Sequence, residues 1–173
     1  MVKSHGVIGS MKPDTDASRA LEVAVGRAAG LGLELRGVGG VAEALPFESG
    51  SFDAVVSTLV FCSVNDPGKA LTEVSRVLRP GGKFLFVEHV WAPEDGHGLL
   101  GLHGQQEFLD PLQQAVAGGC HLTRQTGDLI RRAASEGSDV EGGQLFSQLE
   151  SMERVQLGTR WPCSEQVLGV AIK

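Results

Sequence analysis

Apolar positions recur every three or four residues at Ala17, Ala20, Leu21, Ala24, Val25 and Ala28, with Arg19, Glu22 and Arg27 on other faces. That spacing predicts an amphipathic helix opened by Asp14 or Asp16 as N-cap and closed at Gly30. Ahead of it, Val7-Ile8 between Gly6 and Gly9 reads as a short, weak strand. Residues 31–38 alternate apolar and polar, which suits an edge strand with one wet face. Residues 52–60 carry Ala, Val, Val, Leu and Val with few polar neighbours, the pattern of a strand buried on both faces of a parallel sheet. Asp66-Pro67 then supplies an N-cap and an N1 proline, and Ala70, Leu71, Val74, Val77 and Leu78 form one inward stripe. Pro80-Gly81-Gly82 stops that helix, and residues 84–87 read as a second buried strand.

Strand, helix and strand make a βαβ unit, so the fold class is α/β, with a Rossmann-like, mostly parallel sheet. Beyond Glu88-His89-Val90 the pattern loosens. Helices are predicted over 105–117 and 126–134, and two closing strands over 146–157 and 167–172, an antiparallel pair at the C-terminal edge of the sheet.

Composition narrows this picture. The 173 residues are read as a single domain, 1–173, with 42% hydrophobic residues and a mean hydropathy of +0.02 that argues against disorder. A net charge of −6 speaks against a non-specific grip on nucleic acid, and no nucleic-acid partner is expected. Cys62, Cys120 and Cys163 are odd in number and far apart. They form neither a disulfide framework nor a CxxC pair, so no metal ligands are expected, and they suggest a reducing compartment. No apolar run is long enough for an integral membrane segment, which makes the cytoplasm the default. The 24 glycines gather at 37–40, 96–104 and 137–143 without a period and read as loops, not repeats.

In an open α/β sheet, ligands sit outside the carboxyl ends of the strands. The segments at those ends are residues 40–47, 57–62 and 88–91. Cys62 reads as a small buried hydrophobe, and His89 as a structural histidine that could also reach an acceptor as a base. Asp53, at the opposite end of its strand, reads as a turn or cap residue. Gly37-Val-Gly-Gly40 precedes a turn and not a helix, so it is a poor dinucleotide fingerprint.

Leu45-Pro-Phe-Glu-Ser-Gly-Ser-Phe-Asp53 followed by Val77-Leu-Arg-Pro-Gly-Gly82 resembles the class I S-adenosylmethionine-dependent methyltransferases of type 11. From Asp53 onward the chain is also similar to the branch that methylates alkyl thiols. That likeness rests on Val-Val-Ser-Thr-Leu-Val-Phe-Cys-Ser-Val64, Phe-Val-Glu-His-Val90, Gly119-Cys-His-Leu-Thr-Arg124 and Val167-Leu-Gly-Val-Ala-Ile-Lys173. The resemblance implies S-adenosylmethionine as cofactor and a small-molecule acceptor, a thiol in that branch. It puts Val41, Ala42 and Glu43 beside the adenine, and the carbonyls of Thr58 and Leu59 beside the cofactor's amino group. No catalytic side chain stands out.

Two features of the resembled family are not found: its first strand with the glycine-rich loop, and its ribose-binding acid, with which Lys12 aligns. An N-terminally truncated domain is one expectation. The others are that residues 1–10 fill the strand's slot, or that self-association completes the sheet. A catalytically inactive module for binding or interaction is the competing functional expectation. The branch also implies a peripheral place on the endoplasmic reticulum or lipid droplets as an alternative to the cytoplasm.

Overall fold

Asp66 sets where the central helix starts: its side chain accepts the Lys69 N–H at 3.1 Å, and Pro67 follows in the first turn. The helix that results, Pro67–Val77, buries Ala70, Leu71, Val74 and Val77 on one side, as its apolar spacing requires. It links two strands of a computed structural model that describes residues 15–158 and 161–173. In chain order the elements are α1 (Thr15–Gly30), β1 (Phe52–Thr58), α2 (Pro67–Val77), β2 (Leu78–His89), α3 (Leu102–Val116), α4 (Thr126–Ala133), β3 (Gln148–Gln156) and β4 (Glu165–Ile172). The Val7-Ile8 strand and Lys12 lie outside the described residues, as do Asp14 and the side chain of Asp16.

The sheet runs β1-β2-β4-β3. β1 and β2 are parallel, with Val55 opposite Phe84 and Thr58 opposite Val87. β4 inserts antiparallel between β2 and β3, pairing Phe86 with Gly169 and His89 with Gln166. The α/β class and the antiparallel C-terminal edge follow the sequence pattern. Among the described residues only one of the three pairings is parallel, a smaller parallel share than the sequence reading expected. β2 also begins at Leu78, directly after the helix, and runs through Pro80-Gly81-Gly82. Gly81 takes φ +75 there, a backbone that favours glycine.

The core lies where α2 and α4 cover β2 and β4. Phe84 stacks on Phe146 at 5.8 Å and tilts against Phe86 at 5.4 Å, with Leu71, Val74 and Ile130 closing around them. Burial of each such side chain is worth about 1.5–3 kcal/mol.

Two expectations need correction. Residues 31–38 form no strand; Leu31 and Leu33 are exposed, because an alternating segment becomes a strand only beside a partner. β1 is not buried on both faces either: Ser57 is its one buried residue, and Val56 is 71% exposed. Among the described residues β1 pairs with β2 alone, and α1 buries none of its described side chains. That uncovered edge is where the sequence reading puts either residues 1–10 or a second chain. No helix among the described residues is long and apolar enough to cross a membrane.

Candidate functional site

At the carboxyl end of β1 the chain turns sharply. Leu59 adopts φ +55, a left-handed backbone uncommon for a branched apolar residue, while its N–H still reaches the Val87 carbonyl at 2.9 Å. The turn is held from below by Glu88, which is fully buried on β2. Its carboxylate accepts from Ser57 Oγ at 2.5 Å, from the Val60 N–H at 3.0 Å and from the Phe61 N–H at 3.0 Å. Burial pushes the Glu88 carboxyl above its ordinary range, against the pull of these donors. Thr58, the last residue of β1, is exposed, and Leu59 is half-buried.

Val41, Ala42 and Glu43 approach the far end of the same loop. Val41 is exposed and bridges Ala44, whose N–H reaches its carbonyl at 3.1 Å. Ala42 packs on the margin of the core. Glu43 Oε1 accepts the N–H groups of Asn65 at 2.7 Å and Asp66 at 3.0 Å, just ahead of α2. Residues 41–43 and 58–59 therefore sit at the two ends of the 58–66 loop, which Glu43 and Glu88 secure with one carboxylate each. Asp53 stands at the opposite end of β1 and pairs with the Arg79 side chain on the surface, an ion pair in place of the turn or cap role expected of it.

Past the end of β2 lies a cavity of about 200 Å³ bordered by Trp91, Ala92, His103, Asp128 and Arg154. Trp91 stacks on His103 at 4.3 Å, and Arg154 holds the Trp91 carbonyl at 3.1 Å. That volume falls below the roughly 300–1,000 Å³ of pockets for drug-sized ligands, so it suits a small molecule and not a whole nucleoside cofactor.

His89 and Cys62 both point into the interior. His89 Nε2 is 3.0 Å from Cys120 Sγ, and Cys62 comes from the turn after β1. Sequence reasoning weighed Cys62 alone and His89 with Glu88 beside it, and assigned no task to Glu88, Ser57 or Cys120. Glu88 had one available signal, a carboxylate at the end of a strand otherwise full of apolar residues.

A family model described as a methyltransferase domain matches residues 14–86. Thiol S-methyltransferase TMT1B of Rattus norvegicus is 40% identical over 124 residues, which are 71% of this chain and 44% of that protein. The chain thus spans about half the length of the curated relatives it matches. Among solved structures, the YcgJ protein of Bacillus subtilis superposes with a TM-score of 0.62 at 20% identity, covering 99% of this chain and 82% of that one. A geranyl diphosphate methyltransferase in complex with SAM superposes with a TM-score of 0.62 at 17% identity, covering 96% and 67%.

Proposed function

We propose that this chain, which belongs to the class I S-adenosylmethionine-dependent methyltransferases, binds that cofactor along the 58–66 loop and passes its methyl group to a small-molecule acceptor, a thiol. The observation that carries this reading is the left-handed turn at Leu59, locked by a buried carboxylate at the carboxyl end of a parallel strand. Strained backbone held in place by its surroundings is a device of ligand sites, and this end of the sheet is where such folds bind.

When bound, the cofactor supplies an electrophilic sulfonium methyl. The chain's part is to position it and to keep water away, since direct displacement needs alignment more than an acid–base pair. Thr58 and Leu59 would offer carbonyl oxygens to the cofactor's amino group, and Val41, Ala42 and Glu43 would border the adenine. Glu43 brings only part of its carboxylate to this task, because Oε1 already serves Asn65 and Asp66. The likeness to thiol S-methyltransferases supports a thiol acceptor.

Calorimetric titration of the folded chain with S-adenosylhomocysteine tests the binding, with a one-to-one isotherm expected. Mass spectrometry of 2-mercaptoethanol incubated with chain and S-adenosylmethionine tests the transfer, with the methyl thioether expected. A folded chain that gives no heat and no thioether overturns the reading. The second reading, a methyltransferase-fold module without catalysis, draws on the uncovered edge of β1. Light scattering would then find a dimer or a complex.

A further inference from the structure

We propose that Cys62, His89, Cys120 and Cys163 form a closed, structural site for a thiophilic divalent cation of the zinc type. The donor atoms of Cys62, His89 and Cys120 all lie within 4.8 Å of one another, and the three residues are only 3%, 2% and 7% exposed. Cys163 stands outside that cluster, but Gln113 Nε2 reaches both the Cys120 and the Cys163 sulfur, at 3.8 and 3.9 Å, and a shift of the loop before β4 would bring the Cys163 sulfur in as the fourth ligand.

The spacing suits a tetrahedral ion. Bonds of about 2.3 Å to sulfur and about 2.0–2.1 Å to nitrogen place neighbouring donor atoms roughly 3.5–3.8 Å apart. The 3.0 Å between His89 Nε2 and Cys120 Sγ would open by about half an ångström to admit it. Small side-chain rotations suffice for that.

The chemistry of the donors chooses the ion. Three thiols and an imidazole favour zinc or another soft cation over magnesium or calcium, which ask for oxygen. Glu88, next to His89 in the chain, is already committed to Ser57, Val60 and Phe61. Nor does hydrogen bonding account for the cluster: His89 Nδ1 is buried with no partner among the described residues. Binding would form three metal–sulfur bonds and one metal–nitrogen bond, and each thiol would lose its proton to solvent.

Four ligands leave no open position, which separates this site from the methyl-transfer chemistry. They come from four places: the turn after β1, the end of β2, the loop between α3 and α4, and the loop before β4. An ion there staples the sheet to both loops. Other contacts already aim these loops at one another. The His121 N–H reaches the Cys62 carbonyl at 2.9 Å, and buried Gln106 holds the Pro162 carbonyl at 2.9 Å.

The test titrates the reduced, chelator-treated full chain with cobalt(II) and then zinc(II). Expected are thiolate-to-cobalt charge transfer and tetrahedral ligand-field bands that saturate at one ion per chain, are displaced by zinc, and accompany a raised melting temperature. His89→Gln and Cys163→Ser should each weaken cobalt binding by about 100-fold or more, beyond the usual effect of losing an outer partner. The wild-type titration decides the matter even where a variant misfolds. A folded, reduced wild-type chain without those bands overturns the proposal, as does equal cobalt uptake by a folded Cys120→Ser chain. Loss of methyl transfer with the bands intact leaves the site standing and counts against the functional reading alone.

Discussion

Ser57 and Glu88 meet across the parallel pair of β1 and β2, hydroxyl to buried carboxylate at 2.5 Å. The same carboxylate carries the Val60 and Phe61 N–H groups, so one side chain holds the turn the cofactor would meet. Glu88→Ala strands three donors, two of them buried, and leaves a cavity, and should lower unfolding free energy by about 3–5 kcal/mol. Glu88→Gln can keep its oxygen on the two amides and turn its NH₂ toward Ser57, for a loss of about 1 kcal/mol. Urea unfolding of the two variants checks this; equal losses would contradict it.

Glu88 also predicts a pH dependence. Its folded-state pKa is raised, chiefly by burial, so the folded chain holds this proton more tightly than the unfolded chain. The resulting stability is fully present below the unfolded carboxyl pKa of about 4.3 and is lost as pH rises toward the higher folded value. Glu73 acts in the opposite sense. Its hydrogen bonds from Arg76 hold its pKa low, so its contribution is present above the unfolded pKa and is lost as pH falls through the folded one. The advantage of wild type over Glu88→Gln should therefore shrink as pH rises from acid toward neutral. Unfolding at several pH values measures that gap, and a widening gap would refute the assignment.

Leu59 gives a prediction from backbone alone. At φ +55 a β-branched residue is strained further, whereas asparagine accepts the left-handed region. Leu59→Val should cost about 1–2 kcal/mol, and Leu59→Asn should keep the turn. The two variants should also diverge in affinity for S-adenosylhomocysteine, valine weakening it more. Paired unfolding and calorimetry would show it.

In the middle of β4, Gly169 lies beneath the Phe86 ring and against β3. A methyl group there would run into the Ser151 carbonyl oxygen and come within 2.7 Å of Phe86 Cζ. Gly169→Ala should cost about 3 kcal/mol, since two paired strands and a core ring must all shift. A thermal melt within a degree or two of wild type would show that the sheet yields there.

The elements that could be read from sequence are those whose cause is local. Asp66-Pro67 carries its own start signal and Ala70, Leu71 and Val74 their own stripe, so α2 needs no distant partner to be recognised. Residues 31–38 had the alternation of a strand, but a ladder needs a neighbour, and the described chain provides none. The same lack leaves Val56 in the open despite its apolar run. At the candidate site, the 41–43 and 58–59 segments enter through the motifs beside them in the sequence, and the fold places them at the two ends of one loop. The task of Glu88 was not legible, because hydrogen bonds from backbone amides leave no trace in residue order. Cys62, His89 and Cys120 are separated by whole elements, and only the folded chain brings their donor atoms within 4.8 Å of one another.

The insertion of β4 between β2 and β3 also has a bearing on synthesis. β2 gains its second neighbour only from residues 165–172, and β3, made before them, has nothing in the sheet to pair with until they arrive. A nascent chain on the ribosome would carry β1, α2 and β2 with one flank of β2 open while residues 90–164 are made, a state exposed to wrong pairing and to chaperones. The sheet then closes late and in one step, when the strand that reaches both neighbours clears the exit tunnel.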